Sequence, residues 1–208
     1  MEASELTTIL ENHKLWLEHK PGGVRADLRG ADLQGFRLDD VNLRCANLKG
    51  ANLKNSSFRE ADLRSVNLRG ANLRGANLSG ANLKVAILRD ADLEKAILGG
   101  ADLEDATLHA ANLKEAYFRD ANLEEASFLH ANLQGANLTG ANLQNTGLRR
   151  ADLRDTVFNF ANLQGSDCAL SLKDVRYFKY ALVSKAHLPW LALHPQWASW
   201  CETLQVFP

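Results

Sequence analysis

The chain has 208 residues, with 24 Lys and Arg against 25 Asp and Glu, a formal net charge of −1 and a pI near 6.6. That balance argues against an overall polyanion and against a generic nucleic-acid binder, whose phosphate-facing surface would carry a basic excess. No apolar run approaches the roughly 18 residues of a membrane helix, and no basic stretch followed by an apolar core opens the chain. Three cysteines, Cys45, Cys168 and Cys201, are odd in number and lack the close spacing of zinc or redox motifs. A soluble, cytoplasmic protein with reduced thiols and no membrane partner is the expectation.

Residues 1–24 predict a helical cap. Ser4 is placed to cap a helix whose Leu6, Ile9, Leu10, His13, Trp16 and Leu17 share one face, and Pro21, Gly22 and Gly23 stop it. Such a helix would cover the N-terminal end of the repetitive region, where Phe36 replaces the usual alanine.

From Leu28 to Leu163 a leucine or phenylalanine stands at every fifth position, 28 consecutive pentapeptides in all. The typical unit runs alanine, asparagine or aspartate, leucine, then two variable residues, as in Ala71, Asn72, Leu73, Arg74, Gly75. On a helix every fifth residue advances by about 140°, so the leucines would wind around the whole surface. On a straight strand residues five apart point to opposite sides. All of them are buried together only if the chain turns a corner inside every unit, with alanine and leucine inward and Asn or Asp outward. Glycine at the second corner position (Gly30, Gly35, Gly50, Gly70, Gly75, Gly80, Gly100, Gly135, Gly140) fits a turn with positive φ. The outward position departs from Asn or Asp nine times, always at numbers ending in seven. That alternation requires an even number of sides per coil.

With these units the chain resembles the pentapeptide repeat family over about residues 25–165. The resemblance implies an all-β solenoid, a right-handed quadrilateral β-helix of about seven coils, occupying residues 25–168 between α-helical N- and C-terminal caps. For the tail, residues 169–208, Ser171 and Asp174 suggest a helix running to about Lys185 and ended by Pro189. A second short helix from Pro195 would align Trp197, Trp200, Cys201 and Leu204. The tail is either a lid on its own rod or a homodimerisation surface built on Trp190, Trp197, Trp200 and Leu204, as in relatives that dimerise through their C-terminal ends.

Stacking residues twenty apart gives candidate interaction columns. Arg29, Lys49, Arg69, Arg89, His109, Leu129 and Arg149 form a mostly basic ladder. Asp102, Glu104, Asp105, Glu124 and Glu125 form an acidic cluster, with Arg44, Arg64 and Lys84 nearer the N-terminus. Ile97, Tyr117 and Val157 project outward, with Phe160 at the next corner. No hydrolase elbow, phosphate loop, dinucleotide fingerprint or zinc-binding histidine pair is present, so no catalytic residue, cofactor or metal is assigned. The expectation is a non-catalytic interaction module for an unidentified protein partner, with direct nucleic-acid binding disfavoured. The alternative comes from the resemblance alone: the family includes DNA-mimicking proteins that bind DNA gyrase and protect it from quinolones. Against it, residues 26–165 carry 17 basic and 18 acidic side chains.

Overall fold

A computed structural model describes residues 1–167, 175–193, 195–200 and 202–207. The pentapeptides form a β-solenoid in which the outward residue of each unit pairs in parallel with the residue twenty further on, Asn52 with Asn72 and Asn72 with Asp92 among them. Four units therefore complete each turn. The central leucines and phenylalanines and most of the inward alanines lie on the axis with almost no exposure.

One unit shows why these residue types recur. The Ala71 N–H donates to the Leu68 carbonyl and closes a turn, while Asn72 and Leu73 donate to Ala51 and Asp92 on the turns below and above. Gly75 donates to Glu94. The remaining N–H, that of Arg74, is taken by the Asn72 side-chain oxygen at 3.2 Å. Every backbone donor of the unit is thus satisfied. A short side chain with an acceptor three bonds from Cα reaches the N–H two residues ahead, which favours Asn or Asp at the outward position. The same amides also bond along the axis, Asn52 to Asp32 at 2.8 Å and Asn112 to Asp92 at 2.9 Å.

Second-corner residues have positive φ throughout residues 30–165, in 18 non-glycine positions as well as ten glycines, Gly165 included. Asn, Asp and Gly tolerate this region; Val85 (φ 58°) and Phe160 (φ 60°) do so at a steric cost. Where Ser or Thr replaces inward alanine its hydroxyl finds a carbonyl, as Thr146 does with Leu123 at 2.9 Å and Thr156 with Leu133 at 3.0 Å.

The N-terminal helix, α1 (Ala3–Leu17), forms as its apolar face predicts. Its N-cap is Glu2 and not Ser4, and no side chain caps it; Ser4 sits inside the first turn, where its carbonyl accepts from the Thr8 hydroxyl. Leu6 and His13 are buried against the first coil, and His13 Nδ1 accepts the Ala26 N–H at 3.1 Å. The chain then turns back so tightly that a Cβ on Gly23 would lie 2.4 Å from the Trp16 nitrogen.

The tail differs from expectation. Residues 171–174 and Cys201 lie outside the described residues, but 175–184 is not helical. Tyr177 pairs with Val157 and Leu182 with Asn162, so two sides of one more solenoid rung form, and Phe178 and Val183 fill the axis. The reason is register: both stand at multiples of five from Leu163, and axial burial outweighs local helix propensity. Strand β1 (Leu182–Ser184) is followed by a 3-10 turn (Lys185–His187) and α2 (Leu188–Leu191). Pro189 falls in the first turn of α2 and does not end a helix; its missing N–H is harmless there. Helix α3 (Trp197–Trp200) stops before Leu204, which leads instead into β2 (Gln205–Phe207), parallel to β1. No helix of the described residues is long and apolar enough to cross a membrane.

Candidate interaction surfaces

With four units per turn, the axial order of side chains is their sequence order in steps of twenty, so columns are continuous by construction. In the basic ladder the structure places Arg29, Lys49, Arg69, Arg89, His109 and Arg149 one above another, and neighbouring carboxylates already engage half of them. Arg29 makes a bidentate contact with Asp27, at 2.6 Å on its shortest side. Arg69 lies 3.4 Å from Asp90 and Arg149 3.8 Å from Asp167. Lys49 and Arg89 form no ion pair among the described residues and carry the ladder's free charge. His109 joins the outward Ser127 hydroxyl through Nε2 at 2.7 Å. Burial first, then the charges of Arg89 and His130, lower its pKa, which keeps the ring neutral near pH 7. His130 stands at the adjacent corner, with Arg150 one turn above it by the spacing.

The acidic cluster is less uniform than its composition suggests. Asp102 and Glu104 both bind Lys84, at 3.2 and 2.7 Å, and those bonds raise the lysine's pKa, Glu104 contributing most. Glu104 and Glu124 also accept from Asn122 and Asn142 at 3.4 and 3.2 Å. Asp105 and Glu125 occupy positive-φ corners and project into solvent. Among the described residues no group of three or more His, Cys, Asp or Glu side chains is arranged to hold a metal ion.

Apolar surface gathers on the face of Ile97 (42% exposed) and Tyr117 (53%). Val157, half-buried, stands in the same column beyond Asn137. The column continues through Tyr177, over which the Arg176 guanidinium sits at 5.4 Å, and Phe160 stacks on Tyr180 at 4.9 Å and 12°. The sequence reading does not single out Tyr177 or Tyr180, although Phe178 beside them keeps the five-residue register and signals the extra rung.

Of the four candidate dimerisation residues, Trp200 is wholly buried and packs on Phe178 with ring centroids 6.1 Å apart, and Leu204 is partly buried against the same core. Trp200 is therefore folded onto its own rod and unavailable at a surface, whereas Leu204 is covered only in part. The side chains of Trp190 and Trp197 lie outside the described residues. Among its described residues the tail exposes Leu193 at 68% and, on β2, Val206 and Phe207 at 42% and 39%. His187 ties the lid down: its Nε2 donates to the Ser166 carbonyl at 3.0 Å and its Nδ1 accepts from the Ser184 N–H at 3.3 Å. At the other end, an open cleft of about 340 Å³ between α1 and the rod is lined by Leu10, Lys14, Leu17, Glu18, Val41 and Asn42.

Comparison with known proteins gives the family of the chain. A family model described as pentapeptide repeats matches in eight copies, over residues 24–59, 56–84, 86–124 and 131–167. Among solved structures the chain is similar to HetL, a pentapeptide repeat protein involved in heterocyst differentiation regulation in the cyanobacterium Nostoc sp. strain PCC 7120, at 28% identity over 87% of this chain and 96% of that one, with a TM-score of 0.41. It is similar to QnrB1, a plasmid-mediated fluoroquinolone resistance protein, at 19% identity over 76% and 83%, with a TM-score of 0.44. It is similar also to Rfr23 from the cyanobacterium Cyanothece 51142, at 24% identity over 85% and 97%, with a TM-score of 0.23. A search of curated protein sequences returns no significant match.

Proposed function

Because the chain belongs to the pentapeptide repeat family, we propose that it is a non-catalytic interaction module, a right-handed rod of about seven coils whose charged columns dock a cytoplasmic protein partner. The observation that carries this reading is the filled axis. Leucine, phenylalanine and alanine occupy it with almost no exposure, so recognition falls to side chains held outward at fixed spacing. Such a surface presents complementary potential and register to a partner without moving. Direct binding of nucleic acid is disfavoured by the balanced charge, as is any role at a membrane. The test is cross-linking capture with the Lys49→Glu and Arg89→Glu double variant beside the unaltered protein. A partner held by the unaltered chain and lost by the folded variant supports the reading; a partner indifferent to reversal of each of the charged columns overturns it.

A second reading, regulation of DNA gyrase or a related topoisomerase by imitation of DNA, is favoured by one local feature. Residues 90–130 hold ten acidic and three basic side chains, a strongly negative belt on a rod whose total charge is near balance. Titrating the purified chain into a gyrase supercoiling assay, with and without a quinolone, decides it. Inhibition or protection that disappears on Glu124→Lys and Glu125→Lys would establish this reading; an unchanged supercoiling rate removes it.

A further inference from the structure

The columns differ in how their sign changes along the axis. Residues 25–89 carry twelve basic and six acidic side chains, and residues 90–130 three basic and ten acidic. Since pairing advances by twenty residues per turn, this division in sequence is a division in space, with positive turns followed by negative ones. One first-corner column concentrates it: Arg44, Arg64 and Lys84 are followed by Glu104 and Glu124, and then by glutamine. The adjacent second-corner column adds Asp105 and Glu125 to the acidic side. No other first-corner column holds a run of each sign. The ladder from Arg29 has no acidic member, and each of the remaining two has a single one, Glu94 between Arg74 and Lys114 in the first and Asp39 below Arg59 in the second.

At the reversal itself the charges cancel within the chain, because Lys84 bridges Asp102 and Glu104. One rung away Arg64 is held by Asp62 at 2.6 Å, but the outer groups of the edge are not cancelled. Among the described residues Arg44 forms no ion pair, and neither do Asp105, Glu124 or Glu125. A free positive charge and a free negative group are thus held about 20 Å apart, four rungs at strand spacing, on one straight edge.

We infer that this edge is a self-docking surface, on which two copies lie side by side and antiparallel, the Arg44 and Arg64 end of each against the Glu104 and Glu124 end of the other. A two-fold axis crossing the column near Lys84 brings Arg44 to Glu124 of the second copy and Arg64 to Glu104 of the second copy. A parallel pair would instead oppose like charges. The arrangement meets the requirement of a closed dimer that both copies use the same patch, and the edge is regular enough for several rungs to meet at once. Exposed pairs contribute little singly, and a contact of about 20 Å by one edge buries less than the roughly 800 Å² per partner of a stable complex. The association is accordingly weak, reversible and governed by ionic strength. It is separate from the partner docking proposed above and from any contact through the tail.

Sedimentation velocity of the full chain over a concentration series, at about 20 mM and about 500 mM salt, tests it. The expected result is a monomer–dimer equilibrium at low salt whose dissociation constant rises by at least about tenfold at high salt, where the Debye length falls to about 4 Å and exposed charges are largely screened. Arg44→Glu and the double variant Glu124→Lys with Glu125→Lys remove charges that have no ion-pair partner within the described chain, so the fold is spared, with circular dichroism as the control. Each variant alone should stay monomeric at low salt, and an equimolar mixture of the two should recover the dimer. The inference is overturned if the unaltered chain is monomeric at about 100 μM and low salt, or if the mixture gives no recovery. It is equally overturned if the dimer persists in high salt and is lost instead on Val206→Lys with Phe207→Lys, which would place the contact on β2.

Discussion

Ala71, in the middle of the rod, and Ala26, where α1 meets it, both bury a backbone N–H and satisfy it differently. The Ala71 N–H is met by the Leu68 carbonyl, an arrangement repeated at nearly every inward position. The Ala26 N–H is met by a single side chain, His13. The lid shows the same pattern, with His187 holding Ser166 and Trp200 closing over Phe178. Repetition makes the rod redundant, since each unit contributes one small equal share. The ends rest on residues that nothing nearby can replace.

Trp200→Ala puts the greatest load on that contrast. Removing a fully buried indole should destabilise the lid by about 3–5 kcal/mol, as large as any leucine truncation in the rod. Hydrogen exchange should show residues 178–207 losing protection while residues 60–140 keep theirs; uniform loss along the chain would mean that the ends and the rod are one cooperative unit. Gly23→Ala comes next. The added methyl meets the Trp16 and Leu15 backbone, a clash that costs about 1–3 kcal/mol and should free α1. Proteolysis within residues 3–17 would report it, and unaltered resistance would show that the joint is looser than its geometry.

Val85→Gly probes the rod in the stabilising direction. Valine at φ 58° carries a steric penalty that glycine lacks, so urea denaturation should show a gain of about 1 kcal/mol, less the extra entropy glycine brings to the unfolded chain. A loss would mean that the valine side chain contributes more than its backbone costs.

The smallest effect is with pH. Burial is the main reason that His13 and His187 both have pKa values below the ordinary 6.5. On acidification the unfolded chain takes up protons before the folded one, so stability is complete above about pH 6.5 and falls as the pH drops below it. Protonating Nδ1 would also abolish its acceptor role toward Ala26. His13→Gln, which keeps an acceptor without titrating, should flatten the slope of stability between about pH 5 and 7; an unchanged slope would assign it to other groups.

The rod is legible in the sequence because its logic is local. A period of five, alanine and leucine inward, Asx outward and glycine at the corner are each settled by the nearest few residues, and the parity of the exceptions at Arg37, Ile87 and Tyr117 points to an even-sided coil. The tail is not legible in the same way. Cys168 and Lys173 interrupt the leucine register, so Phe178 and Val183 resemble members of a helix, although their spacing from Leu163 preserves the count. The burial of Trp200 depends on Phe178, more than twenty residues away, and no periodicity announces such a contact. Surface columns can be assembled by arithmetic, but their partial neutralisation cannot. The ion pairs of Arg69 with Asp90 and Lys84 with Glu104 join neighbouring turns and depend on which way long side chains lean.

The twenty-residue register also bears on how such a chain can change over generations. Deleting one pentapeptide leaves every leucine on the axis and every alanine inward, so the core would scarcely register the loss. Everything beyond the deletion, however, would rotate by a quarter turn relative to what precedes it, and each outer column would be spliced onto a different one. Only gains or losses of four units keep the outside aligned. A lineage under pressure merely to stay folded could drift by fives; one that depends on its edges must count in twenties.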